Sequence, residues 1–504
     1  MTMEILNDYI KSLCGAGRCG QAPSPEMTAY AANLDIIAKS YPDIARAIIR
    51  ELLDQRSYLK LIASENYCSY AVQAAMGNLL TDKYAEGYVG KRFYAGCDNV
   101  DDIERRACDE AKKLFGAEHA YVQPHSGADA NLVAFWAILR HKVQTPALER
   151  LGQTNLLNIS DTEWGEIRHA LGNQRIMGLD LYSGGHLTHG YRHNISGQMF
   201  DVHFYHVDKE TGLLDYDKLR KQLLEVKPLI LLTGFSAYSR NLDFECLRGM
   251  ADEAGAVLMV DMAHFAGLVA GKVLQSRYNP IPYADIVTTT THKTLRGPRG
   301  GMVLCTKEYA EYVDKGCPHV LGGPLPQVMA AKAIAFEEAN RPEFQAYAAK
   351  VAENAKALAE ALVKRGINVP TGGTDNHLVL VNLDAPGITG TQAENAMREC
   401  GLTLNRNTIP GDKNGPWITS GLRLGTPALT TLGMGPDEMK EIADIFADVL
   451  AAVKPKLKKN GDPTKTEYNL NADVKKRSLE RVRRLLDKHV LYPELDGAFL
   501  SKYL

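Results

Sequence analysis

Five apolar runs, FDVHFYHVD, PLILLTGF, AVLMVDMAH, ADIVTTTTH and GGMVLCT, follow one another between about residue 200 and Thr306. Most are apolar on both faces, and helical stretches such as Phe244 to Ala254 separate some of them. A strand with two apolar faces must be covered on both, so the runs predict an α/β domain with helices on each side of its sheet. Upstream, the periodicity after Pro42 predicts a helix with Ile44, Ala45, Ile48, Ile49, Leu52 and Leu53 on one face. Val100 to Phe115 is a second amphipathic stretch. In AYVQPHSGADANLVAFWAIL a short strand meets a glycine turn and then a helix. Beyond the helical PQVMAAKAIAFEEAN, the segments HLVLVNLD, QAENAMRECG and DEMKEIADIFADVLAAVK predict a smaller α+β domain.

This pattern gives an N-terminal extension and helical arm over 1–75, a large domain over 76–340 and a small C-terminal domain over 341–504. GAGRCGQAPSPE reads as a hinge, and the polar, basic stretch at about 455–475 as a solvated linker or insertion. A formal charge of -2 exerts no general pull on nucleic acid or anionic membrane, so a small-molecule substrate fits better. Nine cysteines with no CxxC pair suit a reducing compartment. The first residues lack the basic start and apolar core of a signal peptide, and no window has the run of apolar residues that a membrane span needs. The expectation is a cytoplasmic protein.

Ligands of open α/β sheets sit beyond the carboxyl ends of the strands. Ser126-Gly127, Ser236, Asp261 and Lys293 each follow an apolar strand. Pyridoxal phosphate requires a lysine for its aldehyde and a carboxylate that keeps its ring nitrogen protonated, and Asp261 with Lys293 meets both needs. The plain alternative is a helix cap at Asp261 and a surface lysine at 293. Thr288 to Thr291 and GPRGG leave space around the lysine, while Ser126 and Gly127 at a helix start offer a hydroxyl and N–H groups to a phosphate. In KYAEGYVGKRFYAGCD, Glu86 and Tyr94 stand among glycines, as in a loop that supplies an acid and a phenol to a site. His186, His189 and His264 lack the HExxH helix of a zinc site; beside a pyridine ring, an imidazole can stack on it or bond its 3-hydroxyl. Arg423 in SGLRLGTPA has the fork that matches a carboxylate, against the alternative of a surface ion pair.

Together LIASENY, TDKYAEGYVGKRFYAGCDNVDDIE, VQPHSGADAN, GGHLTHG, GFSAYS, VDMAHFAGLVA, VTTTTHKTLRGPRGG, GGPL and SGLRLGTPA closely resemble the serine hydroxymethyltransferase family, in its order, across about Leu59 to Ala428. The resemblance implies a fold-type-I, aspartate aminotransferase-like enzyme: a mainly parallel seven-stranded sheet in the large domain, pyridoxal 5'-phosphate on Lys293, and transfer of the serine hydroxymethyl carbon to tetrahydrofolate, leaving glycine. It implies a ring-nitrogen contact at Asp261, ring stacking at His186, and contacts near the 3-hydroxyl at His264 and Ser236. The phosphate falls to Ser126 and Gly127, with Tyr84 and Gly323 from a partner subunit. The substrate carboxylate falls to Arg423 and Ser64. Glu86 and Tyr94 are implied as acid/base groups from the partner, and His292 and Thr290 as residues that tune the reaction, with Arg299 following. Folate contacts map to Leu181, Gly185, Leu187, Asn407 and the segment Asn414, Gly415, Pro416 and Trp417. Shared sites imply an obligate homodimer, or a tetramer of such dimers.

Four departures from the family pattern stand out. Ala128 replaces a second phosphate-binding serine, His141 to Met177 reads as an insertion, CPHVLGGPLPQV differs around its glycines, and the first thirty residues and 455–475 lie outside the family core. Two other readings stay open at this point. One is a fold-type-I enzyme working without folate, such as a threonine aldolase or a racemase. The other is a scaffold that binds RNA through KPKLKK and KKRSLERVRR.

Overall fold

The computed structural model describes residues 4–15 and 23–504, so most of the expected hinge lies outside the described residues. The main sheet has seven strands: β1 (His119–Tyr121), β2 (Arg175–Leu179), β3 (Asp201–Tyr205), β4 (Ile230–Gly234), β5 (Val257–Asp261), β6 (Ile286–Thr290) and β7 (Gly301–Cys305). Their spatial order is β1-β7-β6-β5-β4-β2-β3. The pairs from β6 through β3 are parallel, and only β7 runs against its neighbours β1 and β6.

Every residue of β4 to β7 is buried. Leu231, Leu258, Val260 and Val287 point into the core on one face of the sheet. Ile230, Leu232, Met259 and Ile286 point into the core on the other. Each such side chain contributes about 1.5–3 kcal/mol by leaving water, which is why both faces carry helices.

The expected insertion ends too late in the sequence reading. Ile176 and Met177 are buried in β2, which pairs with both β3 and β4, so the last residues of the stretch form an interior strand. Its opening residues belong to a wider π turn, Arg140–Gln144, that continues the helix Gly127–Leu139. Further on, the helix Asp161–Gly172 starts at a capping box in which Ser160 and Glu163 satisfy each other's backbone N–H.

The smaller domain holds a three-stranded antiparallel sheet, with Gly421–Gly425 between Leu378–Asn382 and Asn405–Asn407. Helices Pro342–Lys364, Gly390–Glu399 and Pro436–Ala452 share its core, in which Leu358, Val379, Leu424 and Phe446 are buried. Leu59–Lys60 pairs with Leu402–Thr403, so the chain touches this domain before it enters the large one.

The polar stretch at 455–475 is not a linker. Val453–Leu457 and Pro463–Leu470 form an antiparallel hairpin, and the helix Ala472–Lys488 follows it. Tyr468 and Leu470 on its inner face pack against the small-domain core, while the lysines face solvent and blunt its edge. At the other end of the chain, the helices Ile5–Gly15, Pro25–Ala38 and Pro42–Gln55 form a core with Leu495, Phe499 and Leu500. Ala45, Ile49 and Leu52 are buried there, but Ile44 is 56% exposed, because the stripe is narrower than the periodicity predicts.

Candidate functional site

Asp261, the last residue of β5, lies opposite Thr288 of β6, so the loops after both strands open onto one crevice. Thr290 Oγ1 donates to Ala263 O at 3.1 Å, and Thr294 Oγ1 donates to His264 O at 2.8 Å, which stitches the loop after β6 to the loop after β5. Thr291 Oγ1 donates to Pro298 O at 2.6 Å and closes the GPRGG turn. Asn66 Nδ2 donates to Lys293 O at 2.9 Å and is itself held by Thr431. The lysine backbone is thus fixed, while its amine makes no hydrogen bond among the described residues.

Lys293 is 9% exposed. Burial, followed by the nearby guanidinium charges of Arg423 and Arg299, pushes its amine down to about 8, although Asp261 pulls the other way. Burial by itself would raise the Asp261 carboxyl. The hydrogen bonds from His189 and Asn131 help to outweigh it and hold the group well below the usual carboxylate range. Asp261 Oδ2 accepts from Asn131 Nδ2 at 2.9 Å and lies 3.3 Å from His189 Nε2, and Oδ1 accepts from Ala263 N at 3.0 Å.

Asn131 sits on the helix Gly127–Leu139 and uses its whole amide. Its Nδ2 donates to Asp261 and, at 2.7 Å, to Thr188 Oγ1, and its Oδ1 accepts from Thr288 Oγ1 at 2.5 Å. Thr188 Oγ1 in turn lies 2.7 Å from His186 Nδ1. A chain of hydrogen bonds therefore runs from His186 to the buried carboxylate. Burial pushes His186 down to about 4 and His292 to about 3, so both rings are neutral at pH 7. His264 Nδ1 lies 3.3 Å from His377 Nε2, and burial depresses both rings as well. His377 Nδ1 is buried with no hydrogen-bond partner among the described residues.

Ser126 caps the helix Gly127–Leu139 by accepting from Asp129 N. A Cβ on Gly127 would lie 2.7 Å from Thr290 Cγ2, so only glycine lets the helix start approach the end of β6 this closely. Arg423 donates through Nε to Asn405 Oδ1 at 3.0 Å and through Nη1 to Ser236 O at 2.7 Å, and burial pushes it down to about 10. Ser236 takes part through its backbone, with its N–H on Gly184 O. Ser64, His292 and Arg299 line a cavity of about 390 Å³.

Four expected site residues stand apart from this cluster. Glu86 precedes the short hairpin formed by Gly87–Tyr88 and Lys91–Arg92. The Tyr84 ring packs edge-on against Tyr94 at 4.9 Å and faces Gly323, and both tyrosines are exposed. Within the chain, none of the four hydrogen-bonds to the Lys293 cluster among the described residues. Arg92 Nη1 donates at 2.9 Å to Ala85 O and to Gly87 O, the carbonyls on either side of Glu86, and the same guanidinium pairs with the buried Glu104 and with Asp101.

Leu181, Gly185 and Leu187 lie in the turns after β2, where a Cβ on Gly185 would overlap Leu179 O. Asn407 ends a small-domain strand. Asn414 Nδ2 donates to Ser420 Oγ at 3.0 Å, and Lys465 of the late hairpin donates to Asn414 Oδ1 at 2.9 Å. Gly415 and Pro416 follow in the same loop, whose Trp417 is 79% exposed. Asn66, Asn131, Thr188 and His377 are not evident as site residues from the sequence, and His189, a candidate there for a metal or a ring contact, instead lies against the Asp261 carboxylate. The available signal was a lone polar residue within an apolar stretch, such as Asn131 in GADANLVAFWAIL.

The family model described as serine hydroxymethyltransferase matches residues 37–152 and 169–446. The serine hydroxymethyltransferase of Treponema pallidum is 59% identical over 94% of this chain and 83% of its own length. That of Salinispora tropica is 54% identical over 94% and 98%, and that of Chlamydia abortus 52% identical over 98% and 99%.

Proposed function

The chain belongs to the serine hydroxymethyltransferase family, and on that footing we propose how its own residues divide the work. The reaction is the reversible transfer of the serine hydroxymethyl carbon to tetrahydrofolate, giving glycine and 5,10-methylenetetrahydrofolate. The fold is the fold-type-I one, and pyridoxal phosphate is the cofactor. When bound, that cofactor supplies an aldehyde and a protonated ring that draws electrons from the substrate α-carbon. The residues fit it: a free buried amine, an ionised buried carboxylate, neutral imidazoles and a helix start with a hydroxyl.

In this reading Lys293 is the covalent anchor, supported by an amine that sheds its proton near pH 8. Asp261 holds a proton on the ring nitrogen, and His189 and Asn131 keep it ionised for that task. His186 stacks on the ring, His264 and Ser236 lie near its 3-hydroxyl, and Ser126 with Gly127 takes the phosphate. Arg423, with Ser64, orients the substrate carboxylate, and Arg423 Nη2, which makes no hydrogen bond among the described residues, supports this. His292, Thr290 and Arg299 border the lysine. Leu181, Gly185, Leu187, Asn407 and Asn414 to Trp417 hold folate.

Glu86 and Tyr94 move protons in the site of a second subunit, with Tyr84 and Gly323 beside that subunit's phosphate. The lack of any hydrogen bond from these four to the Lys293 cluster, among the described residues, supports a homodimer. So does the exposure of Leu79, Tyr84, Phe93 and Tyr94, at 79%, 56%, 66% and 48%. No helix of the described residues is long and apolar enough to cross a membrane. The seven cysteines from Cys68 to Cys400 are free, which fits work in the reducing cytoplasm.

The observation that carries the residue assignment is the unpaired Lys293 amine beside the ionised Asp261. The test is methylenetetrahydrofolate formation from serine, with and without added pyridoxal phosphate and tetrahydrofolate. Wild type should need both, and Lys293→Ala should be colourless and inactive. Serine cleavage that ignores tetrahydrofolate would instead point to an aldolase.

A further inference from the structure

Lys332, in the helix Pro326–Ala339, is 1% exposed, and no carboxylate pairs with it among the described residues. All three of its N–H bonds end on backbone carbonyls: Val122 O at 2.5 Å, Pro124 O at 2.9 Å and Gly301 O at 2.9 Å. Val122 and Pro124 lead out of β1 into the turn that presents Ser126 and Gly127. Gly301 opens β7, its N–H donates to Pro124 O at 2.9 Å, and a Cβ there would overlap Ser126 O. A Cβ on Gly300 would come within 2.6 Å of Lys332 Cε. Lys332 is thus the post beneath the turn.

Carbonyl dipoles satisfy the hydrogen bonds of an ammonium but carry only partial charge, so a buried lysine held by them alone remains costly. Burial pushes its amine down to about 7, against the opposing pull of the Glu104 and Asp129 carboxylates. A full negative charge above the turn would relieve that cost. We propose that Lys332 is a positioning residue of the phosphate cup: it fixes the Pro124–Gly127 turn and supplies the buried positive charge that lets the cup prefer a phosphorylated cofactor. The proposal rests on the reading of Ser126 and Gly127 as phosphate contacts.

The test compares binding of pyridoxal phosphate and of pyridoxal, which lacks the phosphate, to apoprotein, followed by absorbance titration. Lys332→Gln keeps donors without charge, Lys332→Arg keeps the charge, Lys332→Met keeps only the shape, and Ser126→Ala reports on the cup itself. The expected result is an affinity for pyridoxal phosphate weaker on the order of tenfold in Lys332→Gln and more in Lys332→Met, with pyridoxal binding within about twofold of wild type. Lys332→Arg should keep most of the preference.

Equal losses for the two ligands, or none, would overturn the proposal. A preference lost in Ser126→Ala but kept in Lys332→Gln would overturn it while leaving the phosphate reading intact. The reverse would support Lys332 and remove Ser126 from the cup. A variant that folds only with pyridoxal phosphate, and not with pyridoxal, supports the proposal. Failure of all three lysine variants to fold under either condition assigns Lys332 to the fold alone and overturns it.

Discussion

His189 Nε2 lies 3.3 Å from Asp261 Oδ2, both within the protein interior. The pair keeps a carboxylate ionised where burial alone would neutralise it. Because the folded pKa lies below the unfolded value of about 4, the stabilisation is complete above that pH and is lost as pH falls through the folded pKa. Replacing His189 with Phe should cost about 1–3 kcal/mol at pH 7 and move the acid limb of the melting profile to higher pH. Melting temperatures between pH 3 and 7 check this; an unmoved acid limb would mean that His189 does not hold the charge.

Lys293 carries the opposite sign. Its amine titrates near 8 in the folded protein against 10.5 in the open chain, so the unfolded state binds more protons between those values, and stability rises with pH across that window. Below pH 8 the buried amine costs apoprotein up to about 3 kcal/mol. Lys293→Met apoprotein should therefore melt above wild type at pH 7, and the gap should shrink as pH climbs from 8 toward 10.5. A constant gap would show that the amine is not the cause.

Arg92 holds both carbonyls that flank Glu86 and neutralises Glu104. Arg92→Met strands a buried carboxylate and should destabilise the fold by about 3–5 kcal/mol. The double variant with Glu104→Gln should recover much of that stability but not the turnover lost through a loosened Glu86. Denaturant unfolding and kcat, measured on all three proteins, separate the two effects.

Lys293→Ala and Glu86→Gln should each be inactive alone. If a second subunit completes each site, unfolding and refolding the two together yields mixed dimers in which one of two sites is intact, and activity should return to about a quarter of wild type. No recovery in a mixture shown to contain hybrid dimers would place Glu86 in its own subunit's site.

Lys465 reaches from the late hairpin to Asn414 by an exposed hydrogen bond. Exposed polar contacts are worth about 1 kcal/mol or less, so Lys465→Ala should leave the melting temperature within a degree or two. The KM for tetrahydrofolate should rise about two- to fivefold with the KM for serine unchanged. Equal changes in both would count against a folate role for the Asn414 loop.

Much of this architecture was legible because buried parallel strands must be apolar on both faces. The five runs after residue 200 became β3 to β7, and the lysine, aspartate and Ser126-Gly127 turn all followed strands. Two elements escaped for physical reasons. β2 follows the polar turn at Gly172–Gln174 and opens on the exposed Arg175, so it resembles the tail of an insertion. The hairpin at Val453–Leu470 has one wet face, and its lysines and Gly-Asp-Pro turn have the composition of a linker.

By itself the sequence determined the sheet, the order of the motifs and the chemical types placed at strand ends, since burial and turn geometry are read from local pattern. Tertiary structure alone decided the electrostatics. That Asp261 is ionised, that Lys293 sheds its proton near pH 8 and that Lys332 is buried on backbone carbonyls beneath the Pro124–Gly127 turn depend on desolvation and on partners such as His189, Asn131 and Pro124, which lie far off in the chain. A charge buried among distant neighbours leaves no local periodicity to read.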